Sequence, residues 1–270
     1  MPSVEILNEA RRAIEICNAC RYCEGYCAVF PAMERRRIFS NSDMSYLANL
    51  CHNCRGCFYA CQFSPPHEFN VNIPAQFSAL RAQTYQDYAW PGALGKLFER
   101  NGLVVSLVMA VSLMGVMGLA LLLVNDGRLF GVHTGAGAFY AVIPYEVMVY
   151  TASAVFGFVV LAMIIGFTRF LKDTGKTSVG NVDTSSLLSA VWDVLTMKNL
   201  KGGGLGCNYP DHRFSPARRW HHHFVMYGFF LCFAATSVAT IYDHVFDWQA
   251  PYAYTSLPVI LGTLGGIGLT

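Results

Sequence analysis

Eight of the ten cysteines in this 270-residue chain fall into two copies of one spacing. Cys17, Cys20, Cys23 and Cys27 form a C-x2-C-x2-C-x3-C run, and Cys51, Cys54, Cys57 and Cys61 repeat it. Three thiolates at three-residue steps grip three irons of a cubane, and in a duplicated run the fourth cysteine of each ligates the other cluster. The repeat therefore predicts two [4Fe–4S] clusters with crossed ligands. One is held by Cys17, Cys20, Cys23 and Cys61, the other by Cys51, Cys54, Cys57 and Cys27. Two linked clusters conduct, so electron transfer is the chemistry these residues point to.

Zinc and disulfides fit this pattern less well. Structural zinc sites take their four ligands as two separated pairs. A disulfide framework needs an oxidising compartment, and Met1 to Ile16, with Glu5, Glu9, Arg11, Arg12 and Glu15, does not read as a secretory signal. Neither run ends in Cys-Pro; Pro31, Pro65 and Pro66 come slightly later. The stretch K-G-G-G-L-G-C at 201–207 lacks the G-K-[ST] of a phosphate loop, so its glycines are expected to permit close backbone approach instead. Cys207 and Cys232 stand outside the runs, and Cys232 reads as a small apolar residue of a span.

The elements that must position these cysteines divide into a soluble and an apolar part. Only 13% of residues are charged, against about 25% in a typical soluble domain. The apolar runs Leu103 to Val124, Val147 to Thr168 and Phe224 to Tyr242 each approach the ~20 residues that a transmembrane helix needs. A fourth opens near Leu257. Of the 19 Lys and Arg residues, ten precede the first run and eight lie from Arg169 to Arg219, which leaves only Arg128 elsewhere. By the positive-inside rule the cysteine domain and the 169–221 loop are cytoplasmic. A multi-pass protein of the cytoplasmic (inner) membrane is expected, with the lipid bilayer as its surroundings. A net charge of +2 without a basic stripe argues against nucleic acid as a partner.

Strand-type alternation is sparse, so the predicted fold is mainly α. It comprises an α-helical ferredoxin-like module at 1–75, a connector at 76–100 and a transmembrane bundle of about four spans at 101–270. Residues 4–16 read as a helix with Ile6, Ala10, Ala13, Ile14 and Cys17 on one face. Ser42 is expected to cap a helix over Met44 to Leu50, and a helix over Phe77 to Arg100 breaks at Trp90–Pro91. His221, His222 and His223 stand at the mouth of the third span, and imidazole is a haem ligand. Interfacial histidines are the alternative. No histidine lies in the first two spans, while His133 and His244 share the outer side.

Several motifs together resemble the tricarballylate (citrate) utilisation protein B family. They are C-H-N-C-R-G-C at 51–57, P-P-H-E-F at 65–69, Y-A-W-P at 88–91, and G-C-N-Y-P-D followed by H-H-x-x-x-Y-G-F-x-L-C-F-A-A-T within 206–236. The resemblance implies a membrane-bound electron-transfer subunit of an oxidoreductase system, with two [4Fe–4S] clusters and haem b. It implies an FAD-dependent dehydrogenase, the A protein of the same pathway, as electron donor and quinone as acceptor. It makes His222 and His223 the haem-ligand candidates. Two other readings remain open: the anchor of another dehydrogenase or a heterodisulfide-type reductase, and a membrane-bound iron–sulfur redox sensor.

Overall fold

The computed structural model describes residues 4–97, 101–123, 131–175, 183–204, 206–208 and 211–270. Arg100, Val124 and Arg128 of the expected first span and its flanks lie outside them. The chain divides into two compact units. Met1–Gly95 with Met163–His221 makes one, and Lys96–Ala162 with His222–Thr270 makes the other.

The first unit begins with α1, Val4–Cys20, which buries Leu7, Ala10, Ala13 and Ile14 at helical spacing. It runs four residues beyond the expected end, because no glycine or proline stops it before Arg21. Cys17 and Cys20 consequently stand on its last turn. α2, Val29–Glu34, and α3, Asn41–Leu50, follow. The cap of α3 is Ser40 rather than Ser42. The Ser40 side chain accepts from Asp43 N–H, and the Asp43 carboxylate accepts from Ser40 N–H, so two otherwise orphaned donors are satisfied together. A turn later comes α4, Gly56–Ala60.

α5, Ile73–Tyr88, is capped by Asn72, whose side chain accepts from Ala75 N–H, and carries Pro74 in its first turn, where the missing N–H costs no bond. It crosses the module and buries Ile73, Phe77, Leu80 and Thr84. With Ile14, Met33, Met44 and Leu47 these form one core. Each large side chain so buried contributes about 1.5–3 kcal/mol. The break at Trp90–Pro91 separates α5 from α6, Gly92–Leu97.

The rest of the first unit comes from much later in the chain. It contains the end of α8, Tyr145–Thr174, then α9, Thr184–Leu195, a 3-10 turn over Lys198–Gly204, and a short antiparallel pair. The strands are β1, Cys207–Asn208, and β2, Phe214–Ser215. The fold is mainly α, and this pair is the only sheet among the described residues. The Tyr88 hydroxyl donates to Asp173, and Arg169 Nη1 donates to the Ala89 carbonyl at 2.9 Å.

In the second unit, α7, Asn101–Leu123, and the parts of α8 and of α10, Ala217–Phe246, that belong here present apolar side chains outward: Leu103 is 66% exposed and Met163, one residue beyond the boundary on α8, 69%. Among the described residues, three helices are long and apolar enough to cross a membrane: Gly102–Leu119, Tyr145–Thr174 and Ala217–Phe246. α11, Leu257–Leu269, is apolar but shorter. It lies backbone to backbone on α10, since a Cβ added at Gly265 would stand 2.6 Å from Cys232 Sγ and 2.8 Å from the Gly228 carbonyl. Such close approach through small residues is a packing mode of helices in lipid.

Candidate metal centre

The eight run cysteines gather around two cavities of the first unit. Cys17, Cys20, Cys23 and Cys61 line one of about 230 Å³, with Ile16, Phe30, Phe63 and Val71 as apolar wall. Cys27, Cys51, Cys54 and Cys57 line the other, of only about 10 Å³, together with Val29, Phe30, His52, Arg55, Ile73 and Pro74. Each cavity thus takes three thiols from one run and the last thiol of the other. Phe30, only 2% exposed, belongs to both walls and stands between them.

The local chain path explains the grouping. The residue after the second cysteine of each run, Arg21 (φ 56°) and Arg55 (φ 60°), adopts the left-handed region, as does Asn53 (φ 51°). For a residue with a Cβ this costs about 1–2 kcal/mol. Its recurrence at the same place in both runs marks strain held by the site rather than chance. The resulting curl points amide groups at sulfur. Asn53 N–H donates to Cys51 Sγ at 3.4 Å, and Phe63 N–H to Cys61 Sγ at 3.3 Å. The Val29 and Phe30 amides bear on the Cys27 thiol, and the Gly56 amide on that of Cys54, each favouring the thiolate.

Burial and mutual repulsion hold most of these thiols protonated when nothing else is bound. Burial first, then the neighbouring thiols, pushes Cys17 up to about 12 and Cys23 up to about 11. Burial pushes Cys27 up to about 12 against the opposing pull of its amide hydrogen bonds. Cys57 is likewise held well above its ordinary value. Cys54 moves the other way, drawn down first by the Cys207 thiol packed against it and also by the Gly56 amide and the nearby Arg218 guanidinium. Among the described residues no three His, Cys, Asp or Glu side chains converge on a single ion. An iron–sulfur cubane does not ask for that, since each thiolate takes a different iron and the four ring a volume. Soft sulfur donors, amides aimed at sulfur and an enclosed apolar wall fit such a group.

The second cavity also has a cover that the spacing of the runs does not reveal. Cys207 and Asn208 are fully buried, and Asn208 N–H donates to the Cys54 carbonyl at 2.9 Å. Arg218 Nη1 donates to the Asn53 carbonyl at 2.7 Å, and Arg81 Nη1 donates to that of Cys51. His221 Nδ1 is 2.7 Å from the Ala217 carbonyl of its own helix. His222 is exposed, and the half-buried His223 stacks on Tyr227 with ring centroids 5.7 Å apart. His244 Nε2 lies 2.6 Å from the Tyr145 hydroxyl.

The family model of the citrate utilization protein B Fer4-like domain matches residues 10–87, and that of citrate utilization protein B matches residues 96–270. Citrate utilization protein B of Escherichia coli is 45% identical over 262 residues, which covers 97% of this chain and 68% of that protein. No solved structure matches. With a Fer4-like module at its amino-terminal end and apolar helices after it, the chain belongs to the citrate utilization protein B family.

Proposed function

We propose that the chain is the membrane-bound electron carrier between a flavoprotein dehydrogenase and quinone. The observation that carries this reading is the sorting of the duplicated cysteine runs into two four-thiol cavities that share the Phe30 wall. Cys17, Cys20, Cys23 and Cys61 would hold one [4Fe–4S] cluster, and Cys51, Cys54, Cys57 and Cys27 the other. When bound, each cluster takes up and releases one electron at a time.

The donor is the reduced FAD of a partner that oxidises tricarballylate, citrate or a similar acid. It gives up two electrons and two protons, and quinone takes up the same number. The chain itself moves electrons and no atoms. Its residues supply position. Cys20 is exposed and Tyr22 is 70% exposed, which opens the first cavity toward a docked flavoprotein. The sulfur ligands and their amide partners fix the sites, and the apolar wall excludes water from the path between them. The apolar helices lie in the cytoplasmic membrane with the cysteine module on the cytoplasmic side, in keeping with the basic residues around them. The three histidines at the start of α10 support a b-type haem on His222 or His223.

Anaerobic purification of the full chain tests this. Iron analysis should find about eight irons in clusters, four per cubane. Membranes carrying the chain should couple an added reduced flavoprotein to quinone reduction. Zinc in place of iron, or quinone reduction that persists without the chain, refutes the reading. Reduced b-type absorption that survives both His222→Ala and His223→Ala removes those residues as haem ligands.

A further inference from the structure

The segment that covers the second cavity is tied to it by groups that act on a cluster's charge. Cys207 is fully buried and packs against Cys54 and Leu200. Its single thiol proton has two acceptors in reach, the Leu200 carbonyl at 3.4 Å and the Cys54 sulfur. A thiolate is the stronger acceptor of the two, because charge-assisted hydrogen bonds are about twice as strong as neutral ones. A cluster that makes Cys54 a thiolate therefore turns the Cys207 proton toward it.

The placement is built rather than incidental. Cys207 pairs with Ser215 in the β1–β2 ladder. Gly206 ahead of it has φ +116°, and a Cβ there would meet the Ser215 carbonyl at 2.5 Å. Asn208 N–H is fixed on the Cys54 carbonyl, and Asn208 Nδ2 on that of His212 at 2.7 Å. Arg218, in the first turn of α10, brings its guanidinium to the Asn53 carbonyl beside Cys54. Arg81 adds a second cation at the Cys51 carbonyl. Each cavity has the left-handed arginine of its own run in its wall, Arg21 in the first and Arg55 in the second, and Arg81 and Arg218 come in addition only beside the second.

We propose that Cys207 and Arg218 are positioning residues that raise the reduction potential of the second cluster above that of the first, so that electrons run from the Cys20 side toward the cover that carries Cys207, Asn208 and Arg218. This rests on the two-cluster reading above. Reduction adds negative charge to the cluster. Hydrogen bonds to its sulfurs and nearby cations stabilise that charge and raise the potential, whereas burial alone lowers it. The second cavity is the more enclosed of the two, with Cys54 8% exposed and Cys20 open to solvent. Without the thiol donor and the guanidinium it would be the harder cluster to reduce, and the order would reverse.

Redox titration of the full-length protein, followed by EPR, tests the assignment. The signal that Cys54→Ser abolishes identifies the second cluster. Cys207→Ala should move that signal alone to a more negative potential, and Cys207→Ser, whose hydroxyl still donates, should recover most of the shift. Arg218→Gln should move the same signal in the same direction. If Cys207→Ala loads no second cluster, Cys207→Ser and Arg218→Gln still decide. Two loaded clusters whose midpoints stay fixed, or move by equal amounts, would overturn the inference and leave the proposed function standing. A wild-type protein with fewer than two clusters would instead overturn the reading beneath it.

Discussion

Serine at position 61 separates crossed from uncrossed ligation. Cys61 belongs to the second run, yet its side chain lines the cavity of Cys17, Cys20 and Cys23. It caps the end of α4, and its sulfur accepts the Phe63 N–H at 3.3 Å. A serine hydroxyl can accept that same hydrogen bond, and the position is only half buried, so Cys61→Ser spares the fold and concentrates its effect on the metal. Iron in the anaerobically reconstituted full chain should fall from about eight toward about four atoms, one cubane of the two. Cys27→Ser should cost the same amount from the other site. Pairing the substitutions then reads the grouping directly, because changes within one site overlap while changes at independent sites add. Cys61→Ser combined with Cys20→Ser should retain about four irons, and Cys61→Ser combined with Cys54→Ser almost none, on the same per-cubane arithmetic. Iron and acid-labile sulfide assays with EPR measure this. The reverse ranking of the two double variants would show that each run keeps its own cluster, and the crossed assignment would be lost.

Two further substitutions probe the frame that holds the sites. Asp43→Asn removes the charge that caps α3 and pairs with Arg36 at 2.5 Å, both side chains being mostly buried. Burial opposes ionisation of Asp43, but its bonds to Arg36 and Ser40 outweigh this and hold its carboxyl below the ordinary value, so its contribution is present above the unfolded pKa of about 3.9 and fades as pH falls through the lower folded value. The variant should lose about 1–3 kcal/mol at neutral pH and nothing at strongly acid pH, as denaturation monitored against pH would show. In the second unit, Gly265→Leu drives a side chain into Cys232 Sγ and the Gly228 carbonyl, where even a Cβ has no room. Overpacking of this kind costs about 1–3 kcal/mol, and thermal unfolding in detergent should register it; unchanged stability would mean that α11 does not pack on α10 in this register.

What the chain discloses in advance follows the range of the forces involved. Cysteine spacing is local and marks the two runs, and each cavity is lined by three thiols of one run and the last thiol of the other. Hydropathy is local as well, and the three long apolar helices appear where the runs stand. Helix ends depend on competition between neighbours. Ser40 and Ser42 both look like caps, and the S-x-x-D pattern from Ser40 to Asp43 was the signal that distinguishes them. The cover over the second cavity had no local signal of that strength. Cys207 follows a run of glycines more than 140 residues after the last run cysteine, and Arg218 stands among basic residues that read as a membrane flank. Tertiary packing alone brings them to Cys54 and Asn53. The division has a physical reason. Three ligands of each set are close along the chain and show in the spacing, whereas the charges and hydrogen bonds that bear on them act through space and can come from any segment. In this chain Cys207 stands between the second and third apolar helices, Arg218 in the first turn of the third and Arg81 on α5, so the groups beside the second set of thiols come from three separate places along the chain.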